Sequence, residues 1–317
     1  MTLTQTPGSE TPATFGGPGF QPRQRTHRSD IGETWGACGV QDEHSPLRSV
    51  LMRWPGEEMC YAGPPDRWLH LARPDLTLLR HQATRIADLL EGRGCQVHWL
   101  RDPSPSPNLL FMRDTFWMTP EGAILGRMGS QQRAGEERYT ARALAGADLP
   151  ILSVPRGSAT FEGADALWID SRTVFVGQGR RTNPAGLQHL QRTLSGADIH
   201  WQAVPLPGKI QHLLGVLNFI DEDHVAVWEG RTPPSLIAAL SARGFRILRL
   251  PDGPELSGGR AMNWVCLGPN EVLMPAGCPD TQARLCAAGV GVYETDVSEY
   301  LKAGGALGCL VGILERR

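Results

Sequence analysis

One pattern recurs along the chain: two short apolar segments separated by a tight turn, then a helical stretch, then a further apolar segment. The clearest copy has apolar segments at 166–169 and 173–177, a helix opened by Asn183 and Pro184, and a last strand at 199–204. Asparagine is a preferred N-cap residue, and proline suits the first position of a helix. The chain is therefore predicted to consist of repeated strand–strand–helix–strand units.

The same order recurs at positions 50–100, 116–154, 217–250 and 264–294, the first of these copies being less regular. About five copies of roughly 45 to 60 residues are typical of repeat arrays and propellers. One copy cannot bury its apolar face alone, whereas five copies around an axis bury one another and surround a central cavity. A plain α/β sandwich with coincidental spacing is the alternative. A doubly wound nucleotide-binding fold is disfavoured, because no glycine-rich phosphate loop follows the first strand.

Composition argues against several classes of function. The formal net charge is −2 and 20% of the residues are charged, so no basic field indicates a nucleic-acid partner. The seven cysteines include no CxxC pair, which argues against a structural zinc site and favours a reducing compartment. No apolar run approaches ~18 residues, so we expect neither a transmembrane helix nor a membrane partner. These features predict a cytoplasmic protein.

The beginning of the chain differs from the rest in composition. Residues 1–30 are rich in Thr, Pro, Gly and Arg and lack the apolar centre of a signal peptide. Low hydrophobicity of this kind favours a disordered N-terminal tail. Residues 31–317 carry the repeats, and we predict that they form a single domain.

A cysteine, Cys309, lies inside a glycine-rich and otherwise apolar segment at 304–311 (GGALGCLV). Glycine lets the backbone approach a ligand closely, but a free cysteine is more often a packed core residue than a nucleophile. Three features elsewhere favour the nucleophile: His212, an acidic elbow at 161–165 (FEGAD) and an acidic loop at 111–114 (FMRD). Cysteine, histidine and carboxylates far apart in sequence are what a thiol-based active site requires.

Several segments, in a fixed order, carry a resemblance to a known superfamily. They are residues 39–43 with 47–51 and 55–58, residues 107–114, residues 162–165 with 181–183, residues 211–213, and residues 304–309. Together they resemble the arginine deiminase, dimethylargininase and amidinotransferase superfamily, over about residues 39–317. The resemblance implies a five-bladed, pseudo-symmetric ββαβ α/β propeller, the pentein fold, which agrees with the repeats.

The resemblance implies three catalytic residues. Cys309 would be the nucleophile and His212 the general acid and base, while Glu162 would orient His212 and support its protonated form. An isolated histidine is more often a structural residue. The neighbours of His212 (QHL), together with the matching cysteine, favour the catalytic role here.

Five further residues are predicted to bind substrate, starting with Asp114, whose counterpart in the superfamily binds the guanidino group. An ion pair with the adjacent Arg113 is the alternative for Asp114. Asn108 either adds a neutral acceptor or shapes its turn. Asp165 either contacts substrate or, with slight preference, holds its loop.

The last two, Arg133 and Arg181, resemble the residues that hold the α-carboxylate of the substrate. The alternative for both is surface salt bridging, which is weak in energy. For Arg133 this alternative has nearby partners in Glu136 and Glu137.

One departure from the family pattern bears on the substrate. Arginine deiminases usually carry an aspartate two residues after the histidine, and this chain has Leu214 there. Loss of a charged clamp argues against ordinary arginine deiminase activity and suits an N-methylated guanidine, which has fewer N–H donors. We therefore expect a dimethylargininase-like hydrolase that cleaves a C–N bond of a substituted arginine, such as dimethylarginine, through a covalent cysteine-thiouronium intermediate.

Two other functions stay open at this point. An arginine deiminase or an amidinotransferase would use the same cysteine, histidine and glutamate. A non-catalytic, ribosome-associated propeller like the related translation factor is disfavoured by Cys309 and His212 together. We expect a small-molecule guanidino substrate and no cofactor, and the absence of HxH, HxxxH and CxxC spacings argues against a metal. A homodimer is left open.

Overall fold

Five three-stranded sheets form the body of the computed structural model, in which residues 11–317 are described. In each sheet the middle strand pairs antiparallel with one neighbour, here called the inner strand, and parallel with the other, the outer strand. A parallel pair needs a long crossover connection, which is a helix in every sheet. The predicted repeat and the five-bladed propeller are confirmed.

The strands are numbered along the chain. They are β1 (Leu47–Arg53), β2 (Gln96–Leu100), β3 (Phe116–Thr119), β4 (Gly122–Leu125), β5 (Ile151–Ser153), β6 (Ala166–Asp170), β7 (Thr173–Gln178), β8 (His200–Pro205), β9 (Leu217–Phe219), β10 (His224–Trp228), β11 (Arg246–Leu250), β12 (Val265–Gly268), β13 (Glu271–Pro275), β14 (Gly291–Thr295) and β15 (Gly312–Arg316). From inner to outer strand, the sheets are β15-β1-β2, β3-β4-β5, β6-β7-β8, β9-β10-β11 and β12-β13-β14.

The helices fall into long crossovers within sheets and short turns elsewhere. They are α1 (His27–Asp30), α2 (Leu76–Glu91), α3 (Met112–Thr115), α4 (Glu137–Gly146), α5 (Pro184–Leu194), α6 (Pro234–Ala242), α7 (Pro254–Ser257), α8 (Pro279–Ala287), α9 (Ser298–Lys302) and α10 (Leu307–Leu310). The crossovers are α2, α4, α5, α6 and α8. The side chain of Asn183 accepts a hydrogen bond from the Gly186 N–H, and Pro184 is the first residue of α5, so the predicted start of this helix is confirmed.

The irregularity of the first repeat has a topological cause. The sequence from 50 to 100 lacks a strand of its own before β1, and β15 takes that place, with Val50 opposite Ile313. The sheet therefore joins segments from opposite ends of the described chain. A pattern read locally along the sequence does not contain this partner, so the closure of the ring was not predicted from the residues.

The segment before each inner strand lies at the same end of its blade. These five segments are α3 before β3, a 3₁₀ turn at Gly163–Asp165 before β6, a 3₁₀ turn at Leu213–Gly215 before β9, the loop 258–264 before β12, and α10 before β15. Helix α3 packs against both α10 and the 163–165 turn, which in turn contacts the 213–215 turn. Residues far apart in sequence therefore converge at one point.

Part of the predicted N-terminal tail, residues 1–10, lies outside the described residues. Between 11 and 30 most side chains are exposed, while Asp30 is buried beside Arg23 and Arg25. The disorder of this tail and the single domain at 31–317 stay predictions. Within residues 11–317, none of the helices combines the length and apolar character that a membrane span requires.

Candidate active site

The segments before the inner strands bring the predicted site residues to one cavity of about 100 Å³. Five of them line it, namely Asn108, Asp114, Arg133, Arg181 and Cys309. The other three, Glu162, Asp165 and His212, are buried. His212 lies next to the lining, with its Nδ1 atom 3.8 Å from Asp114 Oδ1.

The histidine is held by a buried carboxylate. His212 Nε2 lies 2.6 Å from Glu162 Oε2. The other carboxylate oxygen, Glu162 Oε1, accepts hydrogen bonds from the Gly129 N–H at 2.9 Å and from Arg181 at 3.3 Å. Because both oxygens of Glu162 are engaged, its orientation is fixed and it fixes the plane of the imidazole in turn.

The electrostatics of this pair favour its charged form. Burial opposes a charge on His212, but the carboxylates of Asp114 and Glu162 outweigh it and raise the pKa of the imidazole. Burial likewise opposes a charge on Glu162, but the hydrogen bond from His212 outweighs it and holds the pKa of the carboxyl well below its usual range. These contacts therefore favour a proton on His212.

One oxygen of the buried Asp114 carboxylate has no partner. Oδ2 accepts a hydrogen bond from Arg133 at 2.5 Å, whereas Oδ1 is buried without a hydrogen bond from any described residue. The adjacent Arg113 pairs with Glu43 at 2.9 Å instead, so the alternative of an Arg113–Asp114 ion pair is wrong. A buried acceptor left unpaired costs about 1–3 kcal/mol, and since Asp114 lines the cavity, this oxygen is available to a donor in a ligand.

The two predicted carboxylate-binding arginines differ in their surroundings. Arg133 is 1% exposed rather than on the surface. It donates to Glu136 at 2.8 and 2.9 Å as well as to Asp114. Arg181 is partly exposed and shares its charge with Glu162. Arg133 is thus neutralised within the protein, and a role in binding a substrate carboxylate stays a prediction for both residues.

A residue that the sequence analysis missed holds the cysteine. Asn263 Nδ2 donates to Cys309 Sγ at 3.1 Å, the Cys309 N–H donates to Asn263 Oδ1 at 3.0 Å, and the Gly308 N–H donates to the Asn263 carbonyl at 2.9 Å. Burial and the nearby Asp114 raise the pKa of the Cys309 thiol, and the hydrogen bond from Asn263 opposes them. The amide therefore favours the thiolate.

The pseudo-symmetry of the fold was the signal that could have found Asn263. Asp114, Glu162, His212 and Cys309 all lie just before the inner strands β3, β6, β9 and β15. Asn263 occupies the equivalent place before β12. Each of the five blades thus contributes one polar side chain to the same centre, and the sequence analysis had identified four.

Two predicted substrate-binding residues make contacts within the protein. Asp165 accepts hydrogen bonds from Thr182 Oγ1 at 2.6 Å and from the Leu213 N–H at 3.0 Å, and burial raises its pKa to about 7. Asn108 donates from its side chain to the carbonyl of Trp68 while lining the cavity. These contacts support the loop-holding alternative for Asp165, and substrate contact stays a prediction for both.

The departures from the family pattern fit their surroundings. Leu214 is buried, packs against Gly308 and lines a separate cavity of about 20 Å³. In the acidic elbow, a Cβ atom on Gly163 would lie 2.1 Å from the Phe116 carbonyl oxygen, so only glycine fits there. Ala164 is fully buried in an apolar cluster, which explains why alanine is accepted at this position.

Three of these groups have atoms close enough to hold a metal ion. Oxygen or nitrogen atoms of Asp114, Glu162 and His212 lie within 4.8 Å of one another. The two carboxylates of this group already have a cation of the protein beside them. Arg133 Nη1 lies 2.5 Å from Asp114 Oδ2 and 3.7 Å from Glu162 Oε2, and the raised pKa of His212 favours its charged form. The negative charges of the cluster are therefore balanced by groups of the protein.

Replacement of Asn263 by alanine is expected to raise the pKa of the Cys309 thiol. One hydrogen bond is worth about 0.5–1.5 kcal/mol, or roughly 0.4–1.1 pH units. The rate of iodoacetamide labelling of Cys309 against pH, followed by peptide mass spectrometry, measures this shift. The Asp114→Asn variant is a matched comparison, because removing its charge is expected to move the midpoint down. An unchanged midpoint in Asn263→Ala contradicts the role given to the amide.

Comparisons with known proteins agree with the family resemblance and with the fold. A sequence model of the arginine deiminase family matches residues 102–232. The N(G),N(G)-dimethylarginine dimethylaminohydrolase of Streptomyces coelicolor is 29% identical over 269 residues, which cover 84% of this chain and 96% of the relative. The protein of the same name from Pseudomonas aeruginosa is 25% identical over 246 residues, covering 76% and 90%.

Solved structures establish the fold independently. The Pseudomonas aeruginosa dimethylarginine dimethylaminohydrolase, solved in complex with citrulline, superimposes with a TM-score of 0.70 at 22% identity, over 84% of this chain and 99% of that one. The amidinotransferase SxtG from Microseira wollei gives 0.69 at 15% identity, over 88% and 97%. This chain is thus similar in sequence to arginine deiminases and dimethylarginine dimethylaminohydrolases, and it has the fold that the solved dimethylarginine dimethylaminohydrolase shares with an amidinotransferase.

Proposed function

We propose that this protein hydrolyses a C–N bond of a substituted arginine, such as dimethylarginine, to citrulline and an amine, through a covalent intermediate on Cys309. The observation that carries the proposal is the unpaired Asp114 Oδ1 in the cavity that Cys309 lines. A carboxylate oxygen in that place calls for a cationic N–H donor.

A guanidinium ion is a demanding substrate. It is planar, cationic and stabilised by resonance, so its central carbon is a poor electrophile. The site must hold the cation, supply a strong nucleophile and protonate the departing amine. Asp114 suits the first task, because a carboxylate accepts charge-assisted hydrogen bonds from the guanidinium fork.

Substrate binding also prepares the nucleophile. In the free protein Asp114 contributes to the raised pKa of Cys309, and a bound cation neutralises this effect. The Cys309 thiol releases its proton to solvent, and the thiolate attacks the guanidinium carbon and gives a tetrahedral adduct. His212, protonated in the ion pair with Glu162, gives its proton to the amine, and the C–N bond breaks to leave a thiouronium on Cys309.

Water completes the reaction in a second half. His212, now neutral, accepts a proton from water, and the hydroxide adds to the thiouronium carbon. Collapse of this adduct breaks the C–S bond, releases the ureido product and restores the thiol. The sum is one guanidine and one water consumed for one ureido product and one amine.

Two observations favour a substituted guanidine over arginine itself. Asp114 offers one free oxygen, since Arg133 occupies the other, and the family's second acidic clamp is replaced by the buried Leu214. A guanidine with fewer N–H donors leaves fewer groups unpaired in such a site. The relatives at 29% and 25% identity carry the name dimethylarginine dimethylaminohydrolase, which supports the same choice.

The test is a substrate panel with the full-length protein. Arginine, its mono- and dimethylated forms, agmatine and guanidinoacetate are each incubated with the protein, and the ureido product and released amine are measured. We expect dimethylarginine to give the highest kcat/KM. Asp114→Asn is expected to lower that value about 10- to 150-fold, the worth of a hydrogen bond to a charged group. Because Asp114 also pairs with the buried Arg133, thermal unfolding and circular dichroism of the variant check that it is folded at the assay temperature.

Parallel reactions with added glycine or lysine separate hydrolysis from amidine transfer. Citrulline formation that is independent of the added amine supports the hydrolase. A transferred amidine in place of citrulline assigns the protein to the amidinotransferases. If no guanidine in the panel yields either product, the proposed function is wrong.

A further inference from the structure

The loop between β7 and α5 carries a threonine that contacts two segments of the candidate site. Thr182 is fully buried. Its hydroxyl oxygen accepts a hydrogen bond from the Glu162 N–H at 3.2 Å and donates one to Asp165 Oδ2 at 2.6 Å. Neither Thr182 nor Asp165 is among the described residues that line the cavity. Their influence on the reaction therefore passes through the residues that they hold.

The second oxygen of Asp165 extends this contact to the histidine. Asp165 Oδ1 accepts a hydrogen bond of 3.0 Å from the N–H of Leu213, the residue that follows His212. His212 Nε2 in turn lies 2.6 Å from Glu162 Oε2. The side chains of Thr182 and Asp165, here called the clasp, thus link the backbone of Glu162 to the backbone beside His212.

Close packing fixes the position of the clasp. Asp165 is fully buried, and each of its two oxygens accepts a hydrogen bond, as a buried carboxylate requires. A Cβ atom on Gly177 of β7 would lie 2.6 Å from Asp165 Oδ1 and 3.1 Å from the Cβ of Leu213. Glycine at this position therefore makes room for the carboxylate.

Asp165 also acts on the charge of the histidine. Burial lowers the pKa of His212, whereas the carboxylates of Asp114, Glu162 and Asp165 raise it, so that the pKa is above its ordinary value. Burial raises the pKa of Asp165 to about 7, against the opposing effects of His212 and of the hydrogen bond from Thr182. Asp165 and His212 therefore stabilise each other's charged forms.

Few other charged groups face Asp165. The turn that carries it packs against α3, β3, β7 and the turn that follows His212. Among these described elements the charged side chains are Arg113 and Asp114 of α3, and both are held in ion pairs. Glu162, which also faces Asp165, is itself bonded to His212. The imidazole is thus the group whose protonation responds to Asp165.

We propose that the clasp positions His212 and that the charge of Asp165 sets the pH up to which His212 remains an acid. This inference rests on the proposed function. It makes Thr182 and Asp165 positioning residues, while His212 is the group that exchanges the proton. A charged Asp165 accepts both of its hydrogen bonds and favours the imidazolium. When Asp165 takes up a proton, that attraction and the charge-assisted bond from Thr182 are lost.

Nuclear magnetic resonance of the full-length protein labelled with ¹⁵N-histidine tests the clasp without substrate. The ring signals of His212 are assigned by their absence in His212→Gln, and their titration gives its midpoint. We expect Asp165→Asn to lower this midpoint by roughly one pH unit. Thr182→Val is expected to lower it by less, because loss of the hydroxyl disfavours the charged form of Asp165. Thr182→Ser keeps the hydroxyl and is expected to retain the native midpoint.

Kinetics with dimethylarginine connect the midpoint to the reaction. The falling limb of kcat/KM against pH is expected to move to lower pH by the same amount as the resonance midpoint, because both report the free protein. Thr182→Val is expected to lower kcat about 10-fold, the worth of one hydrogen bond, with KM changed less than about twofold. Thr182→Ser is expected to restore most of the native rate.

Thr281→Val is the matched control. Thr281 of α8 is also buried and donates its hydroxyl to a carboxylate, Glu255 Oε2, at 2.7 Å. Its replacement loses the same kind of hydrogen bond and is expected to keep the native midpoint and pH profile. Thermal unfolding compares the stability of the variants, and the nearly isosteric Asp165→Asn carries the test if Thr182→Val does not fold.

The outcomes separate the clasp from the proposed function. A His212 midpoint that is unchanged in Asp165→Asn, or lowered equally by Thr281→Val, overturns the clasp while the proposed function stands. A midpoint that moves as expected, in a protein that processes no guanidine, supports the link between the clasp and the histidine and overturns the proposed function instead.

Discussion

Replacement of Cys309 by serine is expected to lower turnover of guanidino substrates by at least about 10³-fold. The hydroxyl of serine stays protonated in this environment and cannot form the covalent intermediate, and removal of the nucleophile of a serine protease costs about 10⁶-fold in turnover. The substitution is nearly isosteric, and serine can accept the hydrogen bond that Asn263 gives to the sulfur. The ureido assay gives the rate, and isothermal calorimetry with dimethylarginine gives the affinity, which we expect to be retained.

The chain offers a matched control among its free cysteines. Cys286 is exposed on α8 and is not among the residues that line the cavity, so Cys286→Ser is expected to keep full activity. Thermal unfolding of both variants checks that the fold is intact. Turnover that survives in Cys309→Ser, or a mechanism-based adduct found on a cysteine other than Cys309, is incompatible with the thiol mechanism.

Replacement of His212 by glutamine is expected to slow turnover about 10²–10⁴-fold, the usual contribution of a general acid or base. Glutamine cannot protonate the leaving amine or activate water, so the second half of the reaction suffers as well. A substrate with a good leaving group, such as an S-alkyl thiocitrulline, passes the first half without the acid. Mass spectrometry of the intact variant is then expected to detect a thiouronium increment on Cys309.

The pH dependence separates this role from a structural one. The reactive form needs a deprotonated Cys309 and a protonated His212, so kcat/KM of the native protein rises and then falls with pH. Because the pKa of His212 is raised, its imidazole stays charged to a higher pH than an ordinary histidine does. In His212→Gln the falling limb is expected to disappear and the rising limb to remain. A variant that keeps both limbs contradicts the assignment of His212 as the acid.

The strands and helix starts could be predicted because residues next to one another in the sequence determine them. Apolar segments around tight turns identified strands such as β6 and β7, and Asn183 with Pro184 marked the start of α5 to the residue. The sequence motifs likewise identified Asp114, Glu162, His212 and Cys309, which the fold brings to one place. These features depend on neighbouring residues or on motif order, and both can be read from one chain.

The features that were not predicted depend on contacts between distant segments. The sequence of neither β1 nor β15 indicates that the two strands pair. Arg133 can be buried because Asp114 of α3 and Glu136 supply carboxylates for its guanidinium. Asn263 belongs to no motif that was recognised, and only its place before β12 relates it to the other site residues. The motifs identified the candidate reacting groups, whereas the groups that hold them and balance their charges required the tertiary structure.

The closure of the ring by β15 determines when the candidate site is assembled. Helix α10 directly precedes β15, so Cys309 reaches its final position only once β15 has docked beside β1. Contacts between such widely separated segments form late, because closing a long loop is entropically unfavourable. The candidate site is therefore complete only in a molecule whose two ends have met, and loss of the β1–β15 pairing alone would separate Cys309 from the other site residues.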